Sequence, residues 1–216
     1  MPPPRVELAN VSKRYGERIA LRRVVLAVES GERIALVGAN GSGKSTLLRV
    51  VAGLTRPTAG VASIDGMDVR DLASEARGRI AYVAHRSLAY PALTARENLA
   101  LVARLHRVPA ARIEPALERV GLAGRADDRL AGFSRGMSQR LALARVVLTE
   151  PTLVLLDEAA TGLDEEGQVL LSELIDELHA RATVLFTTHD RRDTARADRV
   201  VRLLRGERVD DDEAAA

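Results

Sequence analysis

The chain has 216 residues, a mass of 23.3 kDa and a formal net charge of +2, from 32 basic and 30 acidic side chains. That length suits one domain or two fused lobes, and a chain of this size buries about 70% of its unfolded surface without a crosslink. Its lack of cysteine excludes disulfides, thiolate metal sites and cysteine nucleophiles, while near-neutral charge and 2% aromatic content argue against a nucleic-acid surface.

Lysine occurs only at positions 13 and 44; every other basic residue is arginine. A lysine in this chain therefore asks for a reason. No run approaches the ~20 apolar residues of a membrane span. The best runs, 24–28 and 152–156, have strand length. The first residues, Met1-Pro2-Pro3-Pro4, lack the apolar segment of a signal peptide. The expectation is a cytoplasmic chain, with any membrane role supplied by a partner.

In chain order, 5–11 and 18–28 alternate loosely and read as strands. Residues 32–37 form a short apolar strand that runs into a glycine-rich loop, and 45–53 read as a helix closed by Gly53. Strands are predicted over 60–64 and 79–84. Helical spacing through Leu99, Val102 and Leu105 covers 93–107, and a shorter helix covers 111–120. A helix over 138–149 places Leu141, Ala144 and Leu148 on one face, and Pro151 ends it. A strand at 152–156, a helix at 168–181 and strands at 182–187 and 200–204 complete the pattern. The acidic end, 210–216, reads as a solvated tail.

Strands alternate with helices from residue 32 onward, which predicts an α/β fold with a mostly parallel sheet covered on both faces. The stretch 88–132 lacks strands and reads as a helical insertion lobe.

Three segments carry chemistry. Gly38-Ala39-Asn40-Gly41-Ser42-Gly43-Lys44-Ser45, followed by Thr46, matches the Walker A pattern between a strand and a helix. Glycines let backbone N–H groups curl round a polyphosphate, and the helix N-terminus adds positive potential. Lys44 brings a compact ammonium to the terminal phosphates, and Ser45 brings a hydroxyl to Mg²⁺. The second segment, the strand 152–156, ends in Asp157-Glu158. Asp157 is suited to hold Mg²⁺ through water, and Glu158 to polarise the attacking water as a general base. In the third, Phe133-Ser134-Arg135-Gly136-Met137 precedes an apolar helix. Ser134 alone reads as a helix cap whose neighbouring amides can bind an anion.

With Thr161-Gly162-Leu163-Asp164 and Thr188-His189-Asp190 following, the ensemble resembles the ATP-binding-cassette ATPases, the nucleotide-binding subunits of transporters, over about residues 6–208. The resemblance implies a P-loop NTPase core with a mostly parallel sheet, a small N-terminal antiparallel β subdomain and a helical insertion lobe. It implies a single domain over 1–216, with the core at about 1–87 and 133–216 and the lobe at about 88–132. It implies that Tyr15 stacks on adenine, although packing in a turn is an alternative for that ring. Ser134, Arg135, Gly136 and Met137 then face the γ-phosphate held by the opposite subunit. Asp164 couples the two sites, His189 senses the γ-phosphate, and His85 stands where the family carries a glutamine that couples to the membrane subunit.

Three segments depart from the family pattern. Arg135 and Met137 replace a glycine and a glutamine of the signature, Ala159 replaces a proline after Glu158, and His85 replaces the glutamine. Ala84-His85-Arg86, Leu93-Thr94-Ala95-Arg96-Glu97-Asn98-Leu99 and Ala103-Arg104-Leu105-His106, with the Ser-Arg-Gly-Met signature, are similar to the ATPase of the haem exporter used in cytochrome c maturation. The expected function is ATP hydrolysis with Mg²⁺, by Lys44, Glu158 and His189. It powers export through a separate transmembrane permease, from a homodimer or a heterodimer of cassettes at the cytoplasmic face. No nucleic-acid partner is expected. The rivals are another small exporter ATPase, a soluble cassette acting on nucleic acid or ribosomes, and a non-catalytic cassette; Glu158 and His189 speak against the last. His106 and His179 are read as surface residues.

Overall fold

The computed structural model describes residues 2–84, 88–179, 181–188 and 190–209, and its contacts divide the chain into two compact units. The first comprises Met1–Tyr82, Thr152–Asp157 and Ile175–Ala216; the second comprises Val83–Pro151 and Glu158–Leu174.

In the first unit, β1 (Val6–Tyr15) and β2 (Arg18–Val28) form a hairpin, extended by β4 (Ala59–Ile64) and β5 (Met67–Asp68) into an antiparallel sheet of order β2-β1-β4-β5. This is the small N-terminal antiparallel sheet that the resemblance implied. A six-stranded sheet is built from β3 (Arg33–Val37), β6 (Ile80–Val83), β7 (Leu153–Leu156), β8 (Thr183–Thr187), β9 (Arg199–Leu204) and β10 (Glu207–Val209), in the order β10-β9-β3-β8-β7-β6. β3 runs parallel to both β8 and β9, and β7 runs parallel to β8; the last hairpin, β9 to β10, is antiparallel.

Composition explains this order. Every residue of β7 and β8 is buried, as expected of central strands covered on both faces. β9 alternates buried and open positions near the sheet edge. The helix α1 (Lys44–Val51) buries Leu47, Leu48, Val50 and Val51 in one core with Leu21, Leu26, Ile34, Leu36, Leu153 and Leu185. The two sheets and α1 therefore share a single apolar interior. Two one-turn helices, α2 (Ser74–Arg77) and α7 (Arg191–Thr194), and the short β5 and β10 carry too few residues to show a period in the sequence.

In the second unit, α3 (Ala95–His106), α4 (Ile113–Arg119) and α5 (Arg135–Thr149) pack on one another. α3 opens with a reciprocal capping box: Thr94 Oγ1 accepts from the Glu97 amide and Glu97 accepts from the Thr94 amide. Asn98, 3% exposed, ties the preceding turn down by accepting from the Tyr90 amide at 2.8 Å and donating to the Tyr90 and Thr94 carbonyls. A further helix, α6, spans Glu165–Leu178. Among the described residues, no helix is long and apolar enough to cross a membrane.

β4 passes close to the β1 backbone where their pairing register shifts, between Ala9 and Ser12. Gly60 has φ 78°, and a β-carbon there would lie 2.3 Å from the Asn10 carbonyl oxygen and 2.5 Å from that of Ala9. Gly60→Ala is expected to destabilise the fold by about 2 kcal/mol or more, through left-handed strain and overlap together. The measurement is the urea midpoint, which should fall at an unchanged m-value.

Candidate functional site

The parallel strands β3, β7 and β8 end side by side, so the residues that follow them converge. β3 leads into the loop 38–43, β7 into Asp157, and β8 into Thr188. Crevices outside the carboxyl ends of such strands are where open α/β sheets take ligands.

The loop is held by close backbone approach. A β-carbon on Gly38 would lie 2.2 Å from the Leu203 carbonyl oxygen and 2.8 Å from Ser42 Oγ. One on Gly43 would lie 2.6 Å from the Ala20 carbonyl oxygen. The Gly206 amide pins the loop further by donating to the Ser42 carbonyl at 2.9 Å. Gly43 occupies the N-cap of α1 with φ 111° and contributes no side-chain cap. The helix therefore opens with its positive dipole end uncovered by any capping side chain, which favours an anion there.

Lys44 is only 5% exposed, and its Nζ donates to the carbonyls of Gly38 at 2.7 Å and Ala39 at 3.1 Å. The ammonium is folded back over the loop that Asn40 and Gly41 complete. Ser42 is 4% exposed, and its Oγ is a buried side-chain oxygen with no hydrogen-bond partner among the described residues. Leaving such a hydroxyl unpaired costs about 1–3 kcal/mol, which a ligand oxygen would recover. Thr46 is half-buried in the first turn of α1.

Asp157, 2% exposed, accepts on both carboxylate oxygens. Ser45 Oγ donates to Oδ1 at 2.8 Å and Tyr82 Oη donates to Oδ2 at 2.8 Å. Arg49 Nε donates to Tyr82 Oη at 3.3 Å. Burial first, and with it the Asp157 carboxylate, pushes the Tyr82 phenol up to about 12 against the pull of Arg49, so it stands as a neutral donor. The hydroxyl and carboxylate oxygens of Ser45 and Asp157 are the hard donors that Mg²⁺ takes. The cradle, the buried ammonium, the orphan hydroxyl and this oxygen pair together fit a nucleotide polyphosphate with its cation.

At the end of β8, Thr188 Oγ1 donates to Asp193 Oδ2 at 2.6 Å and accepts from the Asp190 amide at 3.0 Å. His189, between them in sequence, and His85 lie outside the described residues. Tyr15 is 46% exposed, and Lys13 Nζ stands 4.8 Å from its ring centroid while donating to the Arg56 carbonyl at 2.9 Å. Both lysines thus have specific posts. His106 and His179 are exposed, as expected.

The second unit carries the remaining predicted residues. Ser134 does cap α5: its side chain accepts from the Met137 amide at 3.2 Å. A β-carbon at Gly136 would lie 2.8 Å from the Gly162 carbonyl oxygen, and one at Gly162 would lie 2.9 Å from the Arg135 side chain. The first turn of α5 and the Thr161–Asp164 loop therefore touch where only glycines fit. Gln139, 3% exposed, donates to the Ala159 carbonyl at 3.0 Å. Arg140 donates to Asp164 Oδ1 at 2.6 Å and to the Val120 carbonyl at 3.3 Å. With the Gly167 amide, Arg140 holds the Asp164 carboxyl below its usual range. Glu158 is half-buried with φ 53°, a left-handed conformation that costs a non-glycine residue about 1 kcal/mol. Such strain is common where a side chain must be aimed.

Gln139, Arg140, Tyr82 and Arg49 were absent from the sequence-derived site. Gln139 was findable: with Ala142, Leu143 and Val146 it occupies the buried i, i+3, i+4, i+7 stripe of α5, where a polar residue is out of place.

Fold and site define an ATP-binding P-loop domain. A sequence profile of the ABC transporter family matches residues 21–161, and the chain belongs to that family as an ATP-binding subunit that hydrolyses ATP. It is 36% identical over 215 residues to the Nod factor export ATP-binding protein I of Burkholderia lata, covering 97% of this chain and 71% of that one. It is 35% identical over 214 residues to the ABC transporter ATP-binding protein NatA of Bacillus subtilis, covering 94% and 87%. The cassette MJ0796, solved as a post-hydrolysis dimer bound to ADP and Pi, superposes with a TM-score of 0.88 at 30% identity, over 95% of this chain and 97% of that one.

Replacing Lys44 by alanine is expected to weaken ATP binding by roughly 10–100-fold, the worth of a charged hydrogen-bond donor in a buried site. Lys44→Arg should fail as well, because a planar fork does not fit a slot shaped for a point charge. Titration with a fluorescent nucleotide measures both.

Proposed function

We propose that the chain powers export through a separate transmembrane permease, working as a dimer of cassettes at the cytoplasmic face of the membrane. The observation that carries the reading is the buried Lys44 in its glycine cradle, beside the 2.8 Å bond from Ser45 to Asp157. In this reading Gly38 to Thr46 wrap the phosphates and Tyr15 stacks on adenine. Ser45 and Asp157 hold Mg²⁺, which when bound would neutralise phosphate charge. Glu158, next in the chain to Asp157, takes a proton from the attacking water. His189 senses the γ-phosphate, and His85 and Asp164 couple the site to its partners.

Each nucleotide is shared in this scheme. Walker A of one cassette holds it, and Ser134, Arg135, Gly136 and Met137 of the other cassette close over it. The helix-capping bond of Ser134 takes the Met137 amide and leaves the positive end of the α5 dipole to attract an anion. The dimeric state of MJ0796 supports the same arrangement. The narrower cargo reading is haem for cytochrome c maturation. It rests on the similarity of 84–86, 93–99, 103–106 and the Ser-Arg-Gly-Met signature, and co-purification of a permease from the native host would test it.

Two measurements examine the mechanism. Glu158→Gln keeps the shape and removes the base, so hydrolysis should fall by roughly 100-fold or more while ATP binding survives and a closed dimer accumulates on size exclusion. A monomeric variant with near-normal turnover would refute the role. Separately, Lys44→Ala and Ser134→Arg should each be inactive alone. Mixed, they form a heterodimer with one intact composite site, and part of the ATPase activity should return. No rescue, with the heterodimer demonstrated by crosslinking and one competent site shown to suffice, would place both halves of the site in one chain.

A further inference from the structure

The Asp157 carboxylate is oriented from two sides. Ser45 addresses Oδ1 and Tyr82 addresses Oδ2, each at 2.8 Å. The direction of the second bond is not free. A guanidinium can only donate and a carboxylate can only accept, so the Tyr82 hydroxyl, which receives Arg49 Nε at 3.3 Å, must send its one proton to Asp157. The Tyr82 ring packs against the apolar core, which holds the hydroxyl in place. Tyr82 lies on β6 and Asp157 just past β7, neighbouring strands of one sheet, so the spacing between donor and acceptor is built into rigid backbone.

We propose that Tyr82 is a positioning residue for the divalent-cation site: its hydroxyl holds Asp157 in the orientation that keeps Oδ1 facing Ser45. The proposal rests on the assignment of Ser45 and Asp157 to Mg²⁺. Without the phenol, a buried carboxylate oxygen loses its donor. The group then turns to find another or draws in water, and in both cases the oxygen facing Ser45 is no longer preset. Partners that orient a metal-facing carboxylate act on metal affinity rather than on nucleotide affinity, because they touch the cation's ligand and not the phosphates.

The test uses the full chain with Mn²⁺ as the probe, its binding to the protein–ADP complex followed by electron paramagnetic resonance and corrected for Mn²⁺–ADP in solution. Tyr82→Phe keeps the ring and removes the hydroxyl. Its Mn²⁺ affinity should fall about tenfold, while ADP affinity measured with a chelator present stays within about twofold of wild type. Tyr82→Leu should lose the same Mn²⁺ affinity and melt at a lower temperature. If Tyr82→Phe binds Mn²⁺ like wild type and only Tyr82→Leu is weakened, the ring's packing matters and the role of the hydroxyl is overturned. Asp157→Asn separates the two levels. If it is defective while Tyr82→Phe is normal, only the positioning role falls. If Asp157→Asn itself binds Mn²⁺ like wild type, the metal assignment falls with it.

Discussion

The constraint on which the first unit depends is the absence of side chains at Gly38 and Gly43. The loop between β3 and α1 runs so close to the carbonyls of Leu203 and Ala20 that a single β-carbon at either glycine would overlap them. This closeness bends the backbone into a tight loop and leaves α1 to open without a side-chain cap. β2 supplies one wall and the β9–β10 hairpin the other, with the Gly206 amide closing on the Ser42 carbonyl. The antiparallel sheet thus shapes the loop as well as covering the core.

Polar chemistry then accumulates at the strand ends because the interior between them is so apolar. β7 and β8 bury every residue. The first polar groups beyond them, Asp157 and Thr188, emerge at the rim of a low-dielectric core and must find partners there. Asp157 finds Ser45 and Tyr82; Thr188 finds Asp193 and the Asp190 amide. A carboxylate satisfied on both oxygens by fixed donors is ready to act without reorganising, which is the form electrostatic catalysis takes.

The second unit follows the same logic with glycines and one arginine. Gly136 and Gly162 allow the first turn of α5 and the Thr161–Asp164 loop to meet, and Arg140 ties Asp164 to the end of α4 through the Val120 carbonyl. Gln139 reaches across to the Ala159 carbonyl. Arg135 lays its aliphatic stem over Gly162.

Much of this was legible in order of residues alone. Strand and helix positions agree to within a few residues, because buried parallel strands are continuous apolar runs and the helices carry a clear 3.6-residue period. The phosphate loop was legible because its motif states a local geometry. α5 begins at Arg135, earlier than its apolar stripe suggested, since Ser134 caps a polar first turn that has no periodicity to read. Tyr82 and Arg49, and the unpaired state of the Ser42 hydroxyl, were decided only by tertiary structure. Tyr82 looks like any strand residue, and Arg49 like any helix-surface arginine, until the sheet sets β6 beside β7 and α1 brings Ser45 to the same carboxylate. Local sequence determines which backbone will curl and which strand will be buried. Which polar groups meet at the strand ends depends on strand order, and that is a property of the whole sheet.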